Sequence, residues 1–586
     1  PYRVYGGQQE SGSAGVATRG NDGAVTVRDW HPAGTEEYGY SAPDPLHPGI
    51  VYGGKVTRWD ETTGQAREIG PVVGWRNNPI RFRRTAPLAF SPADPHALFL
   101  GGSVVFETTD YGKDWRTISP DLTRPATPDP PNLGIFAQTA AAKAPHRGVV
   151  YALGLSPLDV NVLWAGTDDG LIWRTADGGK HWSNVTPPGI PAWAKISIVD
   201  ASPFDAASAY VAVNRFRLDE ARPQLLRTHD GGKTWTEIDD GIEAAPTNVV
   251  RADPVRRGLL YAGTELGVWV SFDDGTHWES LRLNLPATSV RDLVVHRDDL
   301  AIATHGRGFW ILDDVAPLRQ HETLGSQRPT FLAPVPAWRV ARDTNTDTPF
   351  PPDEPVFANP PDGAVIDYVL PNAVSKLTLT IGDERGRTLR TITTEAQPAA
   401  DPLSLDVPAW WIAPPARLDA SAGAHRIVWD LHATAPHTLA HDPTIAAIPG
   451  ATPLEPEGAL VPPGTYTLLL NADGATTRTT VTVRQDPRLP IPDADLRAQF
   501  VLERAIVEAL DVSFSAYQRV GKRDAALSKS LARANARLSQ LLQTVESGDG
   551  APSDVERRVY HDQQRALDAL VRSARKIAVS RGTSPS

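Results

Sequence analysis

Thr175-Ala-Asp-Gly-Gly-Lys-His-Trp182 decides the fold, because the chain repeats its pattern. The other copies are Thr108-Thr-Asp-Tyr-Gly-Lys-Asp-Trp115, Thr228-His-Asp-Gly-Gly-Lys-Thr-Trp235 and Ser271-Phe-Asp-Asp-Gly-Thr-His-Trp278. All four fit [ST]-x-D-x-G-x-x-W, and their Asp residues (Asp110, Asp177, Asp230, Asp273) are 67, 53 and 43 positions apart. Each residue type has a physical reason to be there. Asp accepts backbone N–H groups within a turn, Gly supplies positive φ, and Trp buries a large flat area. We therefore expect Asp110, Trp115, Asp177, Trp182, Asp230, Trp235, Asp273 and Trp278 to be structural.

A second signal precedes each run: a Pro/Asp turn, then an apolar strand ending in small residues. It reads Ser91-Pro-Ala-Asp-Pro95 with Leu98-Phe-Leu-Gly-Gly102, and Ser156-Pro-Leu-Asp159 with Leu163-Trp-Ala-Gly-Thr167. It recurs as Ser202-Pro-Phe-Asp205 with Ala209-Tyr-Val-Ala-Val213, and Ala252-Asp-Pro254 with Leu260-Tyr-Ala-Gly-Thr264. Weaker copies start near residues 41 and 296. Steps of this size fit four short strands plus turns, the content of one β-propeller blade. The unit at 248–281 reads as strands at 248–251, 258–261, 267–271 and 278–281.

Composition limits what such a chain can do. At 586 residues it has room for three or four domains. Its formal net charge of −11 argues against a nucleic-acid binder that works by bulk electrostatics. No run approaches 18 consecutive apolar residues, so no transmembrane helix is expected. Zero Cys removes disulfides, thiolate metal sites and Cys nucleophiles. No HExxH, EF-hand loop, Gly-x-Ser-x-Gly elbow or phosphate loop occurs, so neither metal nor cofactor is expected. Zero Met has no reason in the fold. Together with a start at Pro1 inside a repeat motif, it leads us to expect a piece of a longer protein.

The four runs resemble Asp-box (BNR) repeats, found in sialidases and in sortilin-type and xyloglucanase-type propellers. Flanking stretches are similar to bacterial exported "glycosyl hydrolase-like" BNR proteins. They are Pro1-Tyr-Arg-Val-Tyr-Gly-Gly-Gln-Gln-Glu10, Ile118-Ser-Pro-Asp-Leu-Thr123, Gly263-Thr-Glu-Leu-Gly267, Thr304-His-Gly-Arg-Gly-Phe-Trp-Ile-Leu-Asp-Asp314, and Trp429-Asp-Leu431 with Pro463-Gly-Thr-Tyr466. The resemblance implies an exported protein, periplasmic or extracellular, with further blades upstream. It also implies a glycan that is bound or hydrolysed, or a peptide or protein ligand held without catalysis. Two departures weigh against a known enzyme. Arg81-Phe-Arg-Arg84 does not reproduce the sialidase Arg-Ile-Pro motif, and the xyloglucanase-type catalytic Asp motif is absent.

The expected organisation is mainly β. Residues 1–318 form a propeller of six or seven blades, with residues 1–40 completing the last one, and 319–364 form a Pro-rich connector. Residues 365–488 form an immunoglobulin-like β-sandwich, with alternating strands at 375–381, 388–392, 424–430, 464–470 and 477–483. Residues 489–586 form an antiparallel helical bundle. Its inward faces read Leu496, Phe500, Ile506, Leu510, Phe514 and Tyr517, then Leu527, Leu531, Leu538, Leu541 and Val545. The third helix opens on the capping box Ser553-Asp-Val-Glu556 and turns Val559, Leu570, Ala574 and Ile577 inward.

In a blade, the turn between the second and third strands opens on the face opposite the Asp-Gly turns. That face would carry Asp168, Asp169, Glu265, His305 and Arg307. An insert at 214–222, with Arg215, Arg217 and Arg222, and a longer one at 123–147 would rim it. Each of these residues also reads as an ordinary turn, strand or solvated residue. Glycoside hydrolysis needs two carboxyl groups, and Glu10 or Glu37 with Glu265 could supply them. Gln8, Gln9 and Trp30 join Glu10 as ligand-binding candidates.

Overall fold

The computed structural model describes residues 2–37, 39–54, 56–73, 78–126, 129–145, 147–341, 348–395 and 405–579. Two compact units emerge: Pro1–Thr18 with Arg28–Val315, and Arg19–Val27 with Ala316–Ser586.

Among the described residues the first unit holds seven antiparallel sheets. Sheets two to six have four strands each, as the alternation of short apolar runs and Gly/Asp turns requires. In sheet six the strands are Thr247–Ala252, Leu260–Thr264, Val268–Ser271 and Glu279–Ser280, close to the ranges read from the sequence. The opening strands of sheets four to seven (Val150–Leu155, Lys195–Ala201, Thr247–Ala252, Val290–His296) touch in succession. The last strands of sheets three to six are exposed. Opening strands therefore lie inward and closing strands outward.

Residues 3–32 do not complete the last sheet, as the sequence led us to expect. They form a sheet of their own from Arg3–Gln8, Gly12–Ala17 and Trp30–Pro32. That sheet packs on sheet seven: Trp30 stacks on Phe309 at 6.0 Å, and the Tyr2 ring lies 4.4 Å from His296. The seven sheets thus follow one another cyclically, an arrangement compatible with a β-propeller. The seam depends on Gly6, where a Cβ would sit 2.7 Å from Phe309 Cζ. Gly6→Ala is expected to lower stability by about 1–3 kcal/mol through overpacking, read as an earlier urea midpoint.

The four Asp-Gly turns share one hydrogen-bond scheme. In the second, Thr175 Oγ1 donates to Asp177 Oδ1 (2.9 Å), Gly179 N donates to Thr175 Oγ1 (3.1 Å), and His181 N donates to Asp177 Oδ1 (3.0 Å). The backbone N–H and ring of His181, with Thr175, hold the Asp177 carboxyl down at about 2. Each Trp reaches back to the preceding sheet. The indole N–H groups of Trp115, Trp182, Trp235 and Trp278 donate to the carbonyls of Ile69, Ile118, Val185 and Ile238, each just past an outer strand. A large apolar ring with one donor suits this place: it fills the gap between sheets and satisfies a carbonyl that the outer strand leaves unpaired.

In the second unit a five-stranded and a three-stranded sheet share one apolar core. Ile366, Tyr368 and Trp429 come from the smaller sheet, and Leu379, Leu468, Leu470 and Val481 from the larger. Residues 19–27, expected in the propeller, belong here instead. Ala24–Val25 pairs with Phe357–Ala358, and the Asn359 amide brackets Gly20 through bonds of 2.9 and 2.8 Å. Three long helices follow, Asp493–Val520, Ala525–Glu546 and Asp554–Val579. Ser553 and Glu556 cap the third reciprocally. Leu496, Ile506, Leu510, Leu531, Leu538, Leu541, Val545 and Ala574 are buried as expected. Val559 is exposed, and Leu567, one turn before Leu570 on the same face, is buried. The side chain of Ile577 lies outside the described residues. No helix among the described residues is long and apolar enough to cross a membrane.

Candidate functional site

Strands that alternate in direction put the second turns and the sheet-to-sheet connections at one end of the unit. The Asp-Gly turns lie at the other. We call the first end the turn face. Both long inserts open there. Residues 127, 128 and 146 of the insert at 123–147 lie outside the described residues.

The two inserts and the connection that carries Trp193 flank an open pocket of about 380 Å³ lined by Pro130, Asn132, Leu133, Arg147, Trp193 and Arg217. Asn132 Nδ2 ties them together, donating to Arg217 O (2.7 Å) and Asp219 Oδ2 (3.0 Å). Asp219 at φ 59° closes the short turn that aims Arg217 inward. Arg147 donates to Asp129 (2.6 Å) and lies 4.8 Å over the Trp193 ring, so the indole meets a guanidinium face-on. Behind Arg217, buried Asp168 accepts from Val149 N (2.9 Å) and lies 3.4 Å from the Arg217 guanidinium. Its neighbour Asp169 accepts from Thr167 Oγ1 (2.6 Å) and Arg124 N (2.8 Å). Burial pushes the Asp169 carboxyl up, against the pull of those donors.

Beside the cavity, the inward strands build a second polar cluster. Asn214 Nδ2 donates to Asn248 Oδ1 (2.8 Å), and Asn248 Nδ2 donates to Glu265 Oε1 (3.1 Å). Arg291 also pairs with Glu265, at 3.1 Å, and approaches His305 at 3.5 Å. Burial pushes the Glu265 carboxyl up, but donors on Ser289 and Asn248 and the charges of Arg291 and Lys195 outweigh it and hold the group low. Lys195 Nζ lies 4.8 Å over the Tyr151 ring. Burial, helped by Arg217 and Arg291, lowers the Lys195 ammonium. Deeper along the inward strands, Arg251 bridges Asp200 (3.2 Å) and Asp292 (2.9 Å). Burial raises the Asp200 carboxyl despite that arginine.

The carboxylates expected to work as a pair are placed as follows. The Glu37 carboxylate accepts from the Glu10 backbone N–H (2.9 Å), a contact that does not involve the Glu10 carboxyl. No hydrogen bond or ion pair among the described residues joins either to Glu265. Gln8 and Gln9 are exposed in the same turn as Glu10, and Trp30 is committed to its stack on Phe309. His305 and Arg307 are exposed in the last second turn. Arg215, expected in solvent as a ligand contact, is buried. Its guanidinium is spent on Glu220 (2.6 Å) and Gly189 O (3.2 Å). Asp168 and Asp169 hold the turn and the inserts rather than facing the cavity. The sequence reading missed Arg147, Trp193, Asn132, Lys195 and Arg291 as contacts. The signal available was insert length, which marked both loops but not which side chains turn inward.

No family model and no curated protein matches the chain. Similar solved structures are β-propellers at low identity. The GH74 enzyme of Niastella koreensis is 13% identical, with 82% of this chain and 73% of that one covered at a TM-score of 0.36. YCF48 bound to D1 peptide is 15% identical, with 47% and 77% covered at 0.30. The Cps50 (Swd1) propeller domain of Myceliophteria thermophila is 14% identical, with 53% and 95% covered at 0.34.

Proposed function

We propose that the first unit is a seven-bladed propeller that binds, without catalysis, an extended peptide carrying carboxylate groups. The observation that carries this reading is the insert cavity. Among the described residues its polar lining is two guanidinium groups, paired with Asp129 and Asp168, and an amide, beside an indole. Lys195 and Arg291, the latter paired with Glu265, add two more cations nearby. On a chain of net charge −11, a cationic pocket selects anionic ligands by local field rather than by bulk attraction. Arg forks suit bidentate carboxylate recognition, and Trp193 with Pro130 and Leu133 supplies apolar contact for the residue beside it.

The experiment is a binding screen of the full chain against acidic and neutral peptide libraries, followed by calorimetry. Arg217→Gln is expected to weaken an acidic peptide at least tenfold, and binding should fall with added salt. Lys233→Gln, on the Asp-Gly face, should leave it unchanged. Equal affinity for neutral peptides, or an Arg217→Gln variant that binds like wild type, removes the proposal.

Glycan hydrolysis is the second reading, for which Glu37, held by the Glu10 backbone N–H, is the carboxylate candidate. It requires one carboxyl to stay protonated as an acid. Glu265 is poorly suited to that role, since its neighbours favour the ionised form. Turnover of any polysaccharide in a panel, abolished by Glu37→Gln, would establish this reading instead.

A further inference from the structure

In the second unit, Asp430, His432 and Glu457 each bring one ligand atom within 4.8 Å of the other two. His432 Nδ1 lies 3.8 Å from Asp430 Oδ1, and His432 Nε2 lies 3.8 Å from Glu457 Oε2. Nothing in the sequence announces this group, because its members come from two loops and follow no ligand spacing.

Three features hold the loops in this arrangement. Leu431 adopts φ 64°, a left-handed conformation that is unfavourable for a branched residue. It turns Asp430 and His432 to the same side, with His432 N donating to Asp430 Oδ1 at 3.0 Å. Gly458 lets the second loop close on the first: a Cβ there would sit 2.0 Å from Ala433 O. Backbone bonds from Ala433 N to Ala459 O (2.9 Å) and Val461 N to Leu431 O (3.0 Å) lace the loops together. This places Glu457 beside the imidazole. His432 Nδ1 is shielded from solvent and has no hydrogen-bond partner. A buried polar nitrogen left unsatisfied needs a reason, and strain held in a tight turn is commonly stored where a site is built.

We propose that Asp430, His432 and Glu457 form a binding site for a divalent transition-metal ion of the zinc class. One imidazole nitrogen and one oxygen from each carboxylate would be the ligands. Ligands at about 2.0–2.2 Å in a tetrahedron stand roughly 3.3 Å apart; with a single imidazole nitrogen as ligand, atoms now within 4.8 Å of one another have to draw together by side-chain rotation. The nitrogen ligand favours zinc over calcium or magnesium, which prefer all-oxygen shells. Arg390, 3.3 Å from Asp430 Oδ1, orients that carboxylate from behind. The bound ion would clip the loop at 430–433 to the loop at 457–461.

The test dialyses the full chain against a chelator, then against buffered free Zn²⁺, and measures bound zinc by mass spectrometry and calorimetry. Wild type is expected to retain one zinc per chain at micromolar free ion. His432→Ala and Glu457→Gln should each weaken binding at least tenfold, and the exposed His437→Ala should not. Circular dichroism at 222 nm confirms that each variant is folded, and Glu457→Gln decides the matter if His432→Ala is not. The proposal fails if wild type retains no zinc, if Glu457→Gln retains as much as wild type, or if Ca²⁺ binds more tightly than Zn²⁺.

Discussion

Arg339→Ala is expected to destabilise the second unit by about 3–5 kcal/mol, the cost of leaving a buried charge without its partner. Arg339 and Asp549 form an ion pair with side-chain exposures of 1% and 3%. Arg339 Nε also donates to Val461 O at 3.0 Å, so the guanidinium ties a sheet strand to the helices. Its charge further offsets the buried carboxyl of Glu503. The three long helices all lie in this unit. The urea transition at 222 nm therefore reports it, even where the two units unfold separately.

Charge and volume can be separated. Arg339→Met keeps most of the apolar stem but still strands Asp549, so it should lose nearly as much as Arg339→Ala. Asp549→Asn in the Arg339→Met background should recover part of the loss, giving a coupling of about 1–3 kcal/mol in a double-mutant cycle. Arg339→Met within 0.5 kcal/mol of wild type would show that packing, not the ion pair, holds this junction.

What the sequence made legible was local. The Asp-Gly turns follow from residues at most four apart, since the side-chain bonds of the turn run among Thr175, Asp177, Gly179 and His181. Strand ranges followed from the same turns. The candidate site was less legible. The 214–222 insert was visible as an interruption, but Arg215 and Arg217 stand two apart in it and have opposite fates. Arg215 precedes and Arg217 lies within a short helical turn closed by left-handed Asp219, and no periodicity announces such a turn. Glu503 was invisible for a different reason. It sits between Leu502 and Arg504 in a helix where an acidic residue normally marks the wet face. Its burial comes from packing beside Arg339, a residue more than 160 positions away.

Glu503→Gln should raise stability at pH 8 by about 3 kcal/mol and flatten the pH dependence of the second unit. Glu503 is fully buried, and neither carboxylate oxygen has a well-formed hydrogen bond; the Leu460 backbone and Gln499 only approach it. Burial pushes its carboxyl from 4.5 up to about 7, against the pull of Arg339. The folded state thus holds a proton that the unfolded chain gives up near 4.5. Stability is full below that pH, falls as pH rises from about 4.5 to 7, and is level above. A shift of this size corresponds to about 3 kcal/mol. Glu546 adds to the trend, because burial and the charges of Glu503, Glu457 and Glu455 raise its carboxyl as well. Glutamine keeps the shape of Glu503 and removes the charge that burial penalises. The measurement is a series of urea transitions at 222 nm from pH 5 to pH 8. Wild type should lose stability across that range while Glu503→Gln loses much less, leaving the remaining slope to Glu546. Parallel curves for the two proteins would mean that Glu503 is solvated in the folded chain and that the helices do not seal it against the sheets.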